Sequence, residues 1–235
     1  MLIIILFGVV LYFVFKTTRI AEQNLLWAGM AKETAHQIGT PLTSMMGWVT
    51  LLKEEHPGSS SLFEIEKDIE RLNLITDRFS KVGSIPELVS NDIVYSIRST
   101  VNYLQKRSSE QIEFKLDLPK EKISIPFNPQ LISWTLENLI KNGVDAMKGK
   151  GILKITLNEF TSFIEILIQD NGYGMKKEIA SKIFSPGFTT KKRGWGLGLS
   201  LSKRIVEDFH SGKIIVQKTP LGQGTTFKLM LNKVL

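Results

Sequence analysis

Apolar positions near the start of the chain follow two distinct patterns. Residues Leu2 to Phe15 form an uncharged apolar run closed by Lys16 and Arg19. A helix rises about 1.5 Å per residue, so the run reaches only about 22 Å against roughly 30 Å of bilayer hydrocarbon. It is predicted to be a short membrane segment, residues 1–15, with a linker helix over 16–30. Basic residues after the run, not before it, argue against a signal peptide and place the rest of the chain on the cytoplasmic side. From Ala31 the spacing changes to alternating steps of four and three: Ala31, Ala35, Ile38, Leu42, Met45, Val49 and Leu52. This is the seam of a helix bundle. His56-Pro57-Gly58-Ser59 stops the helix, and Leu62, Ile65, Ile69, Leu72, Thr76 and Phe79 repeat the spacing. One such hairpin, residues 31–82, has two narrow stripes and too little apolar surface for a core of its own. Two copies make a four-helix bundle, so a homodimer is predicted.

After Gly83-Ser84-Ile85-Pro86 the pattern changes again. Residues 83–235 predict helices over Asn91–Lys106, Pro129–Lys148 and Leu199–Phe209. Strands are predicted at Gln111–Leu118, Lys122–Pro126, Ile152–Asn158, Ser162–Gln169, Lys213–Lys218 and Thr225–Leu231. Helices alternating with hairpin-like strand pairs imply an α+β fold: a two-layer sandwich with helices on one face of a mixed sheet. The antiparallel pairing argues against a dinucleotide-binding βαβ fold despite the glycines.

Composition narrows the chemistry. The 235 residues contain no cysteine, which removes thiol nucleophiles, thiolate metal sites and redox switching. The net charge of +7 permits nucleic acid, an anionic membrane or phosphate ligands. No basic stripe runs along one helix, so nucleic acid is not an expected partner.

His36 lies one position off the first seam, on the flank of the bundle, with Pro41 bending the helix five residues later. A loosened helix beside an exposed histidine costs stability, which suggests a functional reason; an incidental proline is the alternative. In the second half, Asn138 and Asn142 stand at i and i+4 on one helix face. A carboxamide oxygen can ligate Mg²⁺ while its NH₂ donates to phosphate. Asp170, followed by Gly172 and Gly174, ends a strand where a carboxylate could accept from an adenine amino group. Gly194, Gly196 and Gly198 run into a helix whose amides can meet phosphates, after the basic run Lys191-Lys192-Arg193. Gly222 to Phe227, with Thr225, enters the last strand. Each cluster alone has an ordinary structural reading as a cap, a turn or a loop.

Taken in order, these motifs resemble those of the sensor histidine kinases of two-component signalling. Ala35 to Leu42 resembles the H box, Leu136 to Ala146 the N box, Asp170 to Met175 the G1 box, Phe184 to Lys191 the F box and Gly194 to Leu199 the G2 box. The resemblance covers residues 21 to 235. It implies a dimerisation and phosphotransfer hairpin followed by a Bergerat-type ATP-binding domain, in a bacterial inner or plasma membrane protein with its catalytic part cytoplasmic. ATP's γ-phosphoryl would pass to His36, whose imidazole is a competent nucleophile near its reference pKa of about 6.5. It would then pass to an aspartate of a response regulator receiver domain. Asn142 would hold Mg²⁺, Asn138 would support the phosphates and Asp170 would read adenine. Gly172, Gly174, Gly194, Gly196 and Gly198 would bracket a mobile lid, with Phe184, Thr190, Lys191, Leu197, Leu199 and Thr225 lining the nucleotide. Thr40 corresponds to the residue that positions water for dephosphorylating the regulator.

Two departures from the family pattern stand out. Gln37 replaces the carboxylate that commonly follows the histidine, which predicts slower autophosphorylation or a substitute base such as Glu33 or water. Asp145 stands where Lys or Arg is frequent, leaving Lys141 or the Lys191 to Arg193 run to meet phosphate charge. A chaperone- or mismatch-repair-type ATPase would share the N and G1 motifs, and an ATP-gated scaffold would lack phosphotransfer.

Overall fold

The structure is a computed structural model that describes residues 2–82, 86–191 and 196–234. It divides into two compact units, Met1–Ile85 and Pro86–Leu235.

The first unit is a hairpin of α1 (Leu2–Glu55) and α2 (Ser60–Val82). The stop predicted at His56 to Ser59 is the observed turn, in which Gly58 takes a φ of 87°. α1 continues through Pro41; lacking an amide, the ring leaves the Gln37 carbonyl without its helical donor. The predicted seam divides in two. Ala35, Leu42 and Val49 of α1 are buried, as are Leu62 and Ile69 of α2, and Leu42, Val49 and Ile69 form one cluster. The intervening Ile38, Met45 and Leu52 are 43%, 52% and 39% exposed, and Ile65 and Leu72 are exposed as well. A two-helix contact buries only one position per heptad on each helix, and the other remains open. The membrane span expected in residues 1–15 is not found: among the described residues no helix is long and apolar enough to cross a membrane. The apolar run ends at Phe15, well short of bilayer thickness.

The second unit is an α/β domain with helices packed on a five-stranded mixed sheet. Strands β2 (Ile112–Asp117), β4 (Gly151–Glu159), β5 (Phe163–Asp170), β6 (Lys213–Lys218) and β7 (Thr226–Asn232) run in the order β2-β4-β5-β7-β6. β2 pairs parallel with β4, and the other neighbours are antiparallel. Alternation sets the faces: Leu153, Ile155 and Leu157 of β4, Ile164, Ile166 and Ile168 of β5, and Phe227, Leu229 and Leu231 of β7 are all buried. Helices α3 (Ile93–Gln105) and α4 (Pro129–Ala146) supply the second layer. Asp92 caps α3 by accepting from Val94 N, and Asn128 caps α4 by accepting from Leu131 N at 3.2 Å, with Pro129 at the first helical position.

Some elements depart from expectation. The helix predicted from Asn91 starts at Ile93, because Val89–Asp92 form strand β1, paired antiparallel with β3 (Ser124–Phe127) in a separate two-stranded sheet. The helix predicted over Leu199–Phe209 is α-helical only in α6 (Gly198–Arg204); Ile205–Phe209 form a π-helical turn. A four-residue helix, α5 (Lys177–Ala180), follows the G1-like loop where none was predicted.

Candidate functional site

In the first unit, His36 is exposed on α1. Thr40 Oγ1, one turn on, donates to the His36 carbonyl at 3.2 Å. Gln37 Nε2 donates to Glu33 Oε1 at 2.7 Å, so the residue that replaces the usual carboxylate holds a carboxylate from the preceding turn.

In the second unit, α4 presents Asn138, Lys141, Asn142 and Asp145 at positions i, i+3, i+4 and i+7 of one face. Asn138 Nδ2 donates to Gly198 O and Ser202 Oγ, both at 3.3 Å, tying α4 to the start of α6. Lys141 Nζ pairs with Glu137 Oε2 at 3.3 Å rather than with Asp145. Lys191 Nζ donates to Asn142 Oδ1 at 2.8 Å and to Asp145 Oδ2 at 2.6 Å. These two oxygens converge on the Lys191 ammonium. Among the described residues no group of three or more His, Cys, Asp or Glu could hold a metal ion. Mg²⁺ at Asn142 would therefore take most of its oxygen shell from phosphates and water, its usual mode in nucleotide sites.

Asp170 ends β5 and is 3% exposed. Its Oδ1 accepts from Gly172 N at 2.8 Å and Thr225 N at 3.2 Å, and Oδ2 takes no part in either bond. Burial pushes the carboxyl above the ordinary carboxylate range, and those backbone hydrogen bonds pull partly the other way. The surrounding backbone is close-packed. A Cβ on Gly172 would lie 2.6 Å from the Ala146 carbonyl, and one on Gly224, which has a φ of 85°, would strike the Asp170 carbonyl. Gly174 packs on Pro220. Thr225 Oγ1 lies 3.1 Å from Thr219 Oγ1, and Thr219 accepts from Met175 N, so the G1 loop and the last turn brace each other.

Gly196, with a φ of 66°, packs on the backbone of Gly187 and Phe188, and its carbonyl accepts from Gly187 N at 3.2 Å. Phe184 stacks edge-on against Phe227 with centroids 6.5 Å apart, placing it at the sheet rather than beside the α4 oxygens. Leu197 and Leu199 flank the α6 start half-buried, and Thr190 is exposed beside Lys191. Gly194 lies outside the described residues, as do Lys192, Arg193 and Trp195. Sequence reasoning passed over Ser202, Gly143 and Thr219. A Cβ on Gly143 would meet Leu153 at 2.7 Å and Asp170 Cβ at 3.2 Å, so this glycine lets α4 approach the strand end. Its only sequence signal was its place directly after Asn142.

The resulting site combines a buried carboxylate, a helix face of carboxamides and an oxygen pair that holds the Lys191 ammonium. Residues 128–234 match the family of histidine kinase-, DNA gyrase B- and HSP90-like ATPases. The matched residues make up most of the second unit. Over most of its length the chain is also homologous to sensor histidine kinases. It is 28% identical over 229 residues to nitrogen regulation protein NtrY of Azorhizobium caulinodans, covering 90% of this chain and 29% of that protein. It is 31% identical over 225 residues to the signal transduction histidine-protein kinase AtoS of Escherichia coli, covering 92% of this chain and 36% of that protein. The chain thus spans about a third of the length of these relatives. Among solved structures, the catalytic domain of histidine kinase ThkA is 29% identical with a TM-score of 0.59, over 63% of this chain and 97% of that one. ThkA in complex with the response regulator protein TrrA shares the fold at 24% identity and a TM-score of 0.60, over 95% of this chain and 66% of that one.

Proposed function

We propose that the chain is the catalytic core of a sensor histidine kinase, which transfers the γ-phosphoryl of ATP to His36 and then to an aspartate of a response regulator receiver domain. The observation that carries this reading is the extent of the homology. An alignment over 90% of the chain must include much of the first unit, because Pro86–Leu235 alone makes up less than two thirds of it. A gyrase- or chaperone-type ATPase has no need of a hairpin with an exposed histidine one turn before Thr40 and Pro41.

On this reading Asp170 Oδ2 accepts the adenine amino group, and Asn142 Oδ1 holds Mg²⁺, which neutralises charge on the phosphates. Asn138 keeps α6 and its leading amides in place beside the phosphates. An imidazole nitrogen of His36 attacks the γ-phosphorus and the bond to the β-phosphate oxygen breaks, releasing ADP; the imidazole proton leaves to Glu33, held by Gln37, or to water. Thr40 supports the reverse duty, orienting water against the phosphorylated regulator. Exposed Ile38, Met45, Leu52, Ile65 and Leu72 support homodimerisation, because a second hairpin would bury the half of the seam left open within one. Exposed Ile4, Leu6, Phe7, Val10 and Leu11, with no charge among residues 2–15, support attachment of that end to a membrane.

The test is incubation with γ-labelled ATP and Mg²⁺. Acid-labile, alkali-stable label on the protein, lost in His36→Gln and passed to a receiver domain, is the expected result. Free phosphate released without labelled protein would overturn the phosphotransfer reading in favour of a plain ATPase.

A further inference from the structure

The edge strand β6 borders a groove of about 1160 Å³ lined by β6 and the turn after it, the segment around α5, Phe184, Lys203 and Glu207. Asn138, Asn142 and Asp170 do not line it, although Met175, Phe184 and Thr219 of the neighbouring loops do. β6 is last in the sheet order and, among the described residues, pairs only with β7. Glu207 Oε1 accepts from Ile214 N at 3.4 Å, which marks Ile214 as facing away from β7. By the two-residue period of a strand, half-buried Val216 presents the next outward backbone groups to the groove. Such an edge is a template for another strand unless something protects it.

Charge determines which strand can pair there. Five lysines, at 176, 177, 203, 213 and 218, line the groove against two glutamates, Glu178 and Glu207. Glu207 is already engaged, with Lys203 at 3.7 Å and with the Ile214 amide. Lys176, Lys177, Lys213 and Lys218 are exposed and have no acidic partner among the described residues. The opposite sheet edge, β2, is balanced by contrast: Lys115 meets Glu113 at 3.4 Å, and Asp117 meets Lys154 at 3.3 Å. Between the lysines, Phe184 and 61%-exposed Leu221 offer apolar contact. A second copy of β6 would bring like charges together, so the lysines that reject self-pairing select an acidic strand.

We propose that the β6 edge and its groove bind an extended acidic segment of a partner protein, which adds to the sheet as a sixth strand. With the Ile214 amide taken by Glu207, backbone bonds to the Ile214 carbonyl and to Val216 give the register, carboxylates meet Lys177, Lys213 and Lys218, and small apolar side chains alternate onto the groove floor.

The test uses the full chain and a labelled heptapeptide of alternating Glu and Val, read by fluorescence anisotropy. Three comparisons accompany it: the same peptide with alternate backbone amides N-methylated, its Lys/Val counterpart, and a protein variant combining Lys177→Glu with Lys218→Glu. Saturable binding is expected, weakened at least tenfold by N-methylation and at least tenfold by the double charge reversal, with no binding of the Lys/Val peptide. Unchanged ATP affinity shows that the variant is folded. If the variant does not fold, single Lys177→Gln and Lys218→Gln changes replace it, each expected to weaken binding about threefold. Equal affinity for the N-methylated peptide would reduce the site to a charge patch and overturn strand addition. Binding unaffected by the lysine changes, or no binding at all, would overturn the site.

Discussion

Replacing Asp170 by Asn should move ligand affinity and stability in opposite directions. In the structure Oδ1 accepts two backbone amides, and an Asn carbonyl oxygen can keep both. The other oxygen becomes an NH₂, which faces the adenine amino group donor to donor. A hydrogen bond to a charged group is worth about 1.5 to 3 kcal/mol, so ATP affinity should fall roughly 10- to 100-fold. Stability moves the other way. The folded-state pKa lies above the unfolded value, so the native state holds its proton to higher pH than the unfolded chain. Wild-type stability therefore falls as pH rises from the ordinary carboxylate pKa of about 3.9 through the folded value, and the cost persists at neutral pH. Asn carries no such cost. The ligand-free variant should melt higher than wild type at pH 7, and the advantage should vanish towards pH 3. Calorimetric titration with ATP and with purine riboside triphosphate, which lacks the 6-amino group, separates the two effects: only ATP should discriminate between wild type and variant. Equal losses for both nucleotides, or a lower melting temperature for the ligand-free variant at pH 7, would refute the assignment of Oδ2 to the adenine amine.

Lys191→Ala should weaken ATP binding about tenfold in calorimetry: the exposed pairing that Lys191 gives up is worth at most about 1 kcal/mol, less than a charged contact to phosphate. Asp145→Asn, which only releases Lys191, should leave affinity unchanged or slightly raised. Gln37→Glu should raise the autophosphorylation rate at least tenfold, because the gain from a general base, typically about 10² or more, exceeds the few tenths of a kcal/mol of repulsion from Glu33; an unchanged rate would show that the proton already has an adequate acceptor. His210 is buried, with Nδ1 2.6 Å from the Ile205 carbonyl and Nε2 accepting from Asn128 N at 3.1 Å, and burial holds its pKa below the ordinary value. Stability should be full above about pH 6.5 and decline as pH falls towards the folded value, a decline that chemical denaturation should find reduced in His210→Gln. Met45→Glu should weaken any dimer roughly 100-fold or more in sedimentation equilibrium, since each of two symmetry-related side chains forfeits about 1.5 to 3 kcal/mol of burial.

Strands β4, β5 and β7 were legible because each buries one face, and alternating Leu153/Ile155/Leu157 or Ile164/Ile166/Ile168 can serve no other geometry. β1 was not: Val89-Ser90-Asn91-Asp92 has no alternation, and its pairing depends on Phe127, far along the chain. The π-helical turn at Ile205–Phe209 escaped because its residues suit a helix equally well; the deviation is held by His210, whose partners Ile205 and Asn128 lie on different elements. On the hairpin, the four-three spacing correctly located the apolar seam but could not say which positions one hairpin buries. That depends on the partner helix, which takes Leu42 and Val49 and leaves Ile38 and Met45 open.

The same distinction between pattern and pairing governs the cleft. Its residue types were readable, because glycines and carboxamides at fixed spacing on a helix limit the chemistry available. Their mutual contacts were not, since Lys191 reaches Asn142 and Asp145 across 49 and 46 residues, and Asn138 reaches Ser202 across 64. These contacts alter what the asparagines do without nucleotide. Asn142 Oδ1 already faces the Lys191 ammonium, so a Mg²⁺ held by that oxygen would have to displace it. Asp145, which departs from the basic residue frequent in the family, is what holds Lys191 there. With Lys at position 145 the two ammoniums would repel, and Lys191 would lose its ion pair on α4. The departure at Asp145 and the position of Lys191 are therefore one feature: the acid that replaces the family's frequent base anchors a lysine on α4 beside Asn142.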